Sequence, residues 1–410
     1  MKETNPANVP LVGVICEFNP LHNGHAYLLE HARQLAGDKG CVICVMSGRS
    51  TQRGECAVIE PFARGRMAIS GGADLVVELP FPWSSGSAEA FATAGVYILA
   101  ALGVQHLIFG SECGNIKLME QVAERMNSGD FAERYAALCR SGLGTAAAYV
   151  QAIQETSYDI SKDFPASNDL LGLSYLSAIR QLGVQMAVHT VKRMGQDYRD
   201  EILTDVSFPS ATALRRLMDE AACDPLCLST MLEDTMPGDA LNILLEEVAA
   251  GRAPVSTALL HPYYHTYFRL WDADHPITAE LGGGLAGHLH KCALSAKTPL
   301  EFMTAIATKQ YTNARLRRGM LFAVTGVTEE DIKSSPVYTQ LFAANQRGRA
   351  YLSVIRKASD TIPVQVVTKP ADAPDGRQKV LSKQMDALFT LCLPDPKEAG
   401  WLTKKTPNIE

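Results

Sequence analysis

The 410-residue chain contains no apolar run approaching the ~20 residues that a membrane-spanning helix requires. Its first ten residues, Met1 to Pro10, are polar and hold no apolar core, so no secretory leader is expected. There is no convincing internal repeat and no low-complexity tract, which sets aside repeat arrays and biased-composition segments. An excess of positive charge is missing too. The formal charge is −6 and the pI near 6.0, so the whole chain does not advertise nucleic-acid binding, although a local basic face stays open. With 47% hydrophobic and 20% charged residues, the composition is that of a folded protein.

Cysteine is present, ten residues in all, but not in a disulfide or metal framework. Most sit inside apolar runs such as Val42-Ile43-Cys44-Val45 and Leu391-Cys392-Leu393, as small buried hydrophobes of a cytosolic chain do. Cys41 and Cys44 make a C-x-x-C spacing, yet strand alternation directs them to opposite faces, so both are expected in the core.

A chain of this length exceeds one ordinary core, and two domains are expected, residues 1–220 and 221–410. The first alternates strands and helices: strands at Leu11–Cys16, Cys41–Met46, Ala73–Leu79, Val104–Phe109 and Gln185–Val191, helices at His22–Ala36, Phe62–Ser70, Ser87–Leu102 and Asp169–Leu182. That pattern predicts an α/β fold, a Rossmann-like parallel sheet whose near-continuous apolar strands are buried on both faces. A helical insertion near 115–160 is a candidate lid. Beyond about Ala222, segments such as Ala240–Ala250, Pro299–Lys309 and Ala314–Val324 predict a mainly helical domain. Ile362 to Thr368 is valine-rich and reads as an edge strand beside Pro363.

The chemistry concentrates in Glu17-Phe18-Asn19-Pro20-Leu21-His22-Asn23-Gly24-His25, directly after one strand and directly before a helix. His22 and His25 are three apart and share a face of the first turn. Unpaired backbone amides and the positive dipole end at that turn favour phosphate. Gly24 leaves space for a base or ribose against the backbone. Two imidazoles with oriented amides make a clamp for charge on a transferring phosphoryl group, so His22 and His25 are the expected catalytic pair. The bland alternative is two surface histidines on an amphipathic helix; the strand and Asn-Pro turn before them favour phosphate chemistry.

A second element is Ser210-Ala211-Thr212-Ala213-Leu214-Arg215, in which Ser210 or Thr212 caps a helix and Arg215 faces a phosphate. Alone it is equally a simple capped helix. Gln52-Arg53-Gly54-Glu55, Gly110-Ser111-Glu112, Asn168-Asp169 and Lys192-Arg193 are common surface features singly, but all sit at one edge of the expected sheet.

Together these residues resemble the HxGH nucleotidyltransferases and, closely, the bacterial tRNA(Met) cytidine acetate ligases. The likeness extends through Val45-Met46-Ser47-Gly48, Ala73-Asp74-Leu75-Val76-Val77-Glu78-Leu79-Pro80, Phe109-Gly110-Ser111-Glu112, Ser167-Asn168-Asp169-Leu170-Leu171-Gly172 and Ser210-Ala211-Thr212. It continues, more loosely, in Lys309-Gln310-Tyr311-Thr312-Asn313-Ala314-Arg315-Leu316-Arg317-Arg318. The resemblance implies ATP held by Ile15, Cys16, Glu17, Phe18, Asn19, Pro20, Leu21, His22, Asn23, Gly24, His25, Ala26, Tyr27 and Leu28, with Gly110, Asn168 and Arg193. Phe18 and Leu21 are small departures that alter packing. The implied reaction joins acetate to N4 of the wobble cytidine of elongator tRNA(Met) through an acetyl-adenylate, with Mg²⁺ bridging phosphates and no resident metal ligands. Ser210, Thr212 and Arg215 are further phosphate contacts under this reading. Arg315, Arg317 and Arg318, followed by Arg347, Arg349, Arg356 and Lys357, are candidate tRNA contacts or a solvated helix face. Tyr311 either stacks or belongs to the core. The alternatives are a nucleotidyltransferase making a dinucleotide-type cofactor from ATP and a phosphorylated small molecule, and a non-enzymatic scaffold. No membrane association is expected, and the location is cytoplasmic.

Overall fold

The structure, a computed structural model, describes residues 9–157, 160–194, 210–220, 224–272, 274–276, 278–357 and 362–409. β1 (Leu11–Cys16), α1 (Asn23–Ala36), β2 (Cys41–Ser47), α2 (Pro61–Ser70) and β3 (Leu75–Leu79) follow in order. Every residue of these three strands is buried, which is why they read as near-continuous apolar runs, Glu78 of β3 being the charged exception. α3 (Ala88–Ala101), capped by Ser87, leads to β4 (His106–Ser111). α4 (Ile116–Arg125), α5 (Gly129–Arg140) and α6 (Thr145–Thr156) occupy the stretch between β4 and the next helix. α7 (Ser167–Leu182) ends at Gly183 in the left-handed region, φ 64°, and delivers the chain to β5 (Ala187–Lys192).

The five strands pair in parallel in the order β5-β4-β1-β2-β3, the doubly wound arrangement. β1 continues to β2 on one side while β4 lies on its other side. The crevice beyond the carboxyl ends of β1 and β4 is therefore the switch point where such sheets take ligands.

The second half is mainly helical: α8 (Ala211–Glu220), α9 (Pro225–Leu232), α10 (Gly238–Ala249), α11 (His261–Leu270), α12 (Leu285–Ser295), α13 (Pro299–Ala305), α14 (Asn313–Thr325) and α15 (Glu329–Lys333). It then does something the sequence pattern did not announce. β6 (Tyr338–Ala344) adds antiparallel to β3, and after α16 (Gln346–Lys357) the chain places β7 (Gln365–Val367) beside it. α17 (Arg377–Leu391) and β8 (Asn408–Ile409), which also pairs with β6, complete the chain. β6 escaped notice because Thr339 and Gln340 break its apolar run, although both are buried. Thr339 Oγ1 donates to the Glu78 carbonyl at 2.6 Å and so counts as paired. β7 lies at the sheet's edge, within the valine-rich stretch.

The sheet thus runs across the expected boundary near 220, which itself abuts residues 221–223, outside the described set. So does the core. One apolar cluster extends from Val12 through Phe62 and Phe342 to Leu402, and the Phe62 and Phe342 rings meet edge-on at 5.5 Å. A buried ion triad adds to it: Arg49 donates to Glu78 and to Asp386 of α17, each at 3.0 Å. Cys44 belongs to this cluster and Cys41 to the one on the other face, as alternation required. Among the described residues no helix is long and apolar enough to cross a membrane.

A fragment ending at residue 220 would leave the β3 edge unpaired and this apolar face bare. It is expected to elute from size-exclusion chromatography as aggregate or expanded chain; a monodisperse fragment with native near-UV dichroism would contradict the shared core.

Candidate active site

The carboxyl ends of β1 and β2 are gathered by one residue that sequence reading passed over. Arg64, on α2, has no solvent exposure. Its Nη1 donates to the carbonyls of Glu17 at 2.6 Å and Ser47 at 3.0 Å, its Nε to Ile59 at 3.0 Å, and its Nη2 to Gly48. Burial pulls this guanidinium down to about 10, still charged at neutral pH. The Asn19 side chain accepts from Val58 N at 2.7 Å, and the Glu17 carboxylate accepts from Gln52 N at 2.6 Å. Burial raises the Glu17 carboxyl, against the Gln52 amide and the Arg215, Arg53 and Arg64 charges, which lower it. Phe18 is held at φ 45°, a conformation costing a non-glycine residue roughly 1–3 kcal/mol and found where surroundings over-determine the backbone.

His22 is the N-cap of α1. Its Nδ1 accepts from Gly24 N at 3.1 Å, and its own backbone N donates to His25 Nδ1 at 3.3 Å, so two imidazoles complete a reciprocal capping box. The rings stack with centroids 3.7 Å apart, and the Phe18 edge meets His25. Gly24 serves this packing: a Cβ there would lie 3.0 Å from the His22 ring. The expectation of unpaired amides at this turn needs correction. Asn23 N donates to the Thr235 carbonyl at 3.0 Å and Gly24 N to His22, while His25 N and Ala26 N reach the His22 carbonyl at 2.8 and 3.0 Å. The second half of the chain supplies Thr235, a partner that local sequence cannot reveal. Phosphate at this turn is left to side chains.

Both histidines are neutral. Burial first, then the charges of His25, Arg193 and Arg215, push His22 well below the ordinary 6.5. Burial and Arg193 take His25 to about 3, with the Pro20 carbonyl opposing. A neutral ring whose Nδ1 accepts carries its proton on Nε2. The pair therefore acts as neutral, oriented rings, not as two positive charges.

Both rings line a cavity of about 910 Å³ at the switch point. Of the expected nucleotide residues, Ile15, Cys16, Glu17, Phe18, Asn19, Gly24, Tyr27, Leu28, Gly110, Asn168 and Arg193 also line it. Pro20, Leu21, Asn23 and Ala26 do not. Leu21 is fully buried and, like Phe18, packs in the core beneath. Gly110 faces Arg193, whose Cγ would lie 3.3 Å from a Cβ there. Asn168 is oriented by Glu112, which accepts from its Nδ2 at 2.6 Å and from the Asn168 and Asp169 amides at 3.0 and 3.1 Å. Arg193 approaches the same carboxylate at 3.9 Å.

Ser210, buried outside the lining, caps α8 through Ala213 N at 3.0 Å. Thr212 and Arg215 line the cavity, Arg215 bonding the Asn19 carbonyl at 3.0 Å and Thr212 Oγ1 at 3.2 Å. Arg53 and Lys192 join them. None of α4 to α6 contributes to the lining; these helices pack beside α7 and into the core.

The basic run of the second half separates into different roles. Arg317 reaches the cavity and pairs with Glu55 at 2.7 Å. Arg318 is buried on Glu280 at 3.0 Å, and Arg315 bonds the carbonyls of Glu280 and Gly282, so neither forms a free basic face. Tyr311 is core, its hydroxyl donating to the Gly283 carbonyl at 2.5 Å. Arg347, Arg349, Arg356 and Lys357 are exposed on α16. That helix packs at the opposite edge of the sheet, where Asn345 N meets the Asp74 carbonyl before β3 and Tyr351 meets the Leu102 carbonyl before β4.

A histidine-capped helix after the first strand of a 5-4-1-2-3 parallel sheet, with arginines converging on the crevice, is a nucleotidyltransferase arrangement. The chain belongs to the HIGH Nucleotidyl Transferase family, which matches residues 9–400. Within it, the chain belongs with the tRNA(Met) cytidine acetate ligases. It is 32% identical to the protein of that name from Acetivibrio thermocellus, over 95% of this chain and 97% of the other. To the Thermotoga maritima protein it is also 32% identical, over 96% and 95%. Crystal structures of Thermotoga maritima TmcAL, apo and bound with alpha-thio ATP, align with TM-scores of 0.86 and 0.85 at 28% identity, covering 98% of this chain and 99% of theirs.

The neutral histidines set a pH dependence. Unfolded, each takes a proton near 6.5; folded, His25 resists down to about 3. Their contribution is complete above 6.5 and is lost as pH falls through that window. The melting temperature is expected to drop from pH 7 to pH 5, and less steeply in His25→Gln; parallel slopes in calorimetry would count against neutral histidines.

Proposed function

We propose that this protein activates acetate with ATP and transfers the acetyl group to N4 of the wobble cytidine of elongator tRNA(Met), a cytoplasmic substrate. The observation that carries the proposal is the neutral, stacked His22–His25 pair, which lines one cavity at the switch point together with Arg193 and Arg215. The naming of the relatives and the alpha-thio ATP bound in the Thermotoga maritima structure support it.

In the first step an acetate oxygen attacks the α-phosphorus and pyrophosphate leaves. Acetate is ionised far below neutral pH, with carboxylic acids near about 4, so no general base is needed. The demand is for alignment and for neutralising charge on the phosphates. Arg193 and Arg215 provide full positive charge. The imidazoles provide fixed N–H dipoles, which cost no reorganisation because the capping box already orients them. Among the described residues no group of three or more His, Cys, Asp or Glu stands ready to hold a metal. Mg²⁺ accompanying the nucleotide would supply further charge neutralisation. In the second step the cytidine amine attacks the acyl carbon and AMP departs. Of the basic run Arg317 lines the cavity, which supports a role for it in meeting tRNA there.

The test is labelled pyrophosphate exchange into ATP. Exchange should require acetate, and His22→Ala and His25→Ala should each lower it by about 100-fold or more. Normal rates would remove the histidines from the mechanism. Dependence on a nucleotide or phosphopantetheine partner in place of acetate would instead identify a dinucleotide-forming enzyme.

A further inference from the structure

The amine of the second step needs a subsite of its own, and chemistry limits where that lies. The mixed anhydride forms at the α-phosphate, so the amine must reach the acyl carbon within the same cavity. At about 910 Å³ the cavity stands near the top of the ~300–1,000 Å³ range of small-molecule pockets, leaving room beside a nucleotide. An exocyclic amine is a hydrogen-bond donor, and a carboxylate is its natural acceptor.

Among the described lining residues the carboxylates are Glu17, Glu55 and Asp219. Glu17 sits at the end of β1 within the segment expected to hold the nucleotide, and its Oε1 accepts from the Gln52 amide. Asp219 sits on the exposed last turn of α8. Glu55 lies on the loop between β2 and α2 that packs on α14, and both its backbone and its side chain are held. Gly54, at φ 75°, packs so closely on α14 that a Cβ would fall 2.5 Å from the Arg318 amide nitrogen. The Glu55 carbonyl accepts from Thr51 N at 2.9 Å. Arg317 engages carboxylate oxygen Oε1 at 2.7 Å. Among the described residues no hydrogen bond reaches Oε2.

We propose that Glu55 is the acceptor-base reader. Arg317 fixes one carboxylate oxygen, and the other receives the exocyclic amine of the incoming cytosine. This inference rests on the acetate-ligase reading and extends it. During transfer the amine nitrogen forms the new C–N bond, the C–O bond to the adenylate breaks, and AMP leaves with that electron pair. The proton surplus on nitrogen passes to Glu55 and on to solvent. A nitrogen protonated in a tetrahedral intermediate is strongly acidic and gives up its proton readily to an adjacent acceptor. Uracil presents a carbonyl at the corresponding position and would meet the carboxylate oxygen to oxygen.

Acetylation of tRNA and acetate-dependent pyrophosphate exchange, measured on the same full-length proteins, separate the possibilities. Glu55→Gln is expected to lower kcat/KM for tRNA by about 10-fold or more, with KM for ATP in the exchange moving less than about 3-fold. A purely structural brace would instead be restored by reversing the pair. The Glu55→Arg, Arg317→Glu double variant is expected to stay impaired on tRNA, and its recovery to within about 3-fold of the parent overturns the proposal. Unaltered tRNA acetylation by Glu55→Gln overturns it as well, as does a larger loss in Asp219→Asn than in Glu55→Gln. Absence of acetate-dependent exchange in the parent protein would overturn the ligase reading itself, a result the Glu55 variants do not influence.

Discussion

The site hangs on a buried guanidinium. Arg64 collects the Glu17, Ser47 and Gly48 carbonyls, where β1 and β2 end, together with that of Ile59 just ahead of α2. Leaving such groups bare inside the protein costs about 1–3 kcal/mol each. Meeting them with one rigid fork fixes where β1 and β2 release the chain, and therefore where α1 begins. Sheet topology decides that a crevice exists; Arg64 decides its shape.

On that footing the histidine pair takes a form other than a cluster of charge. Each ring spends Nδ1 on the helix start, and the surrounding arginines and burial keep both neutral. Positive charge is delegated to Arg193 and Arg215, which line the same cavity. The division has a physical sense. A flexible cationic imidazole would gain attraction at the expense of fixed direction, whereas a stacked neutral pair holds its donors in place before any nucleotide arrives.

The second half of the chain is no appendage. It closes the amide of Asn23 through Thr235, docks α14 against the loop that presents Gln52 and Glu55, and extends the sheet with β6. The cavity is accordingly a joint product of residues far apart in the chain, with Thr312, Asn313 and Arg317 facing the same space as Glu17. A ligand that filled it would touch both halves, which suits a reaction that brings a nucleotide together with a much larger acceptor.

The strands of the first half, the His22–His25 turn, Gly110, Asn168, Arg193 and Arg215 were legible along the chain because their cause is local. Apolar runs bounded by turns make buried strands, and a motif between strand and helix lands at the sheet's carboxyl edge. The division of the basic run between cavity, core and scaffold was not legible, since Arg315, Arg317 and Arg318 are the same chemistry until their partners Glu280 and Glu55 are known. Nor were the Arg64 cap, the neutral state of the histidines, or β6 with its buried Thr339 and Gln340. Each depends on a partner or a dielectric brought from elsewhere in the fold. Periodicity along a chain carries information about faces and turns; a proton's address and a salt bridge's partner are set by distances that exist once the chain has closed on itself.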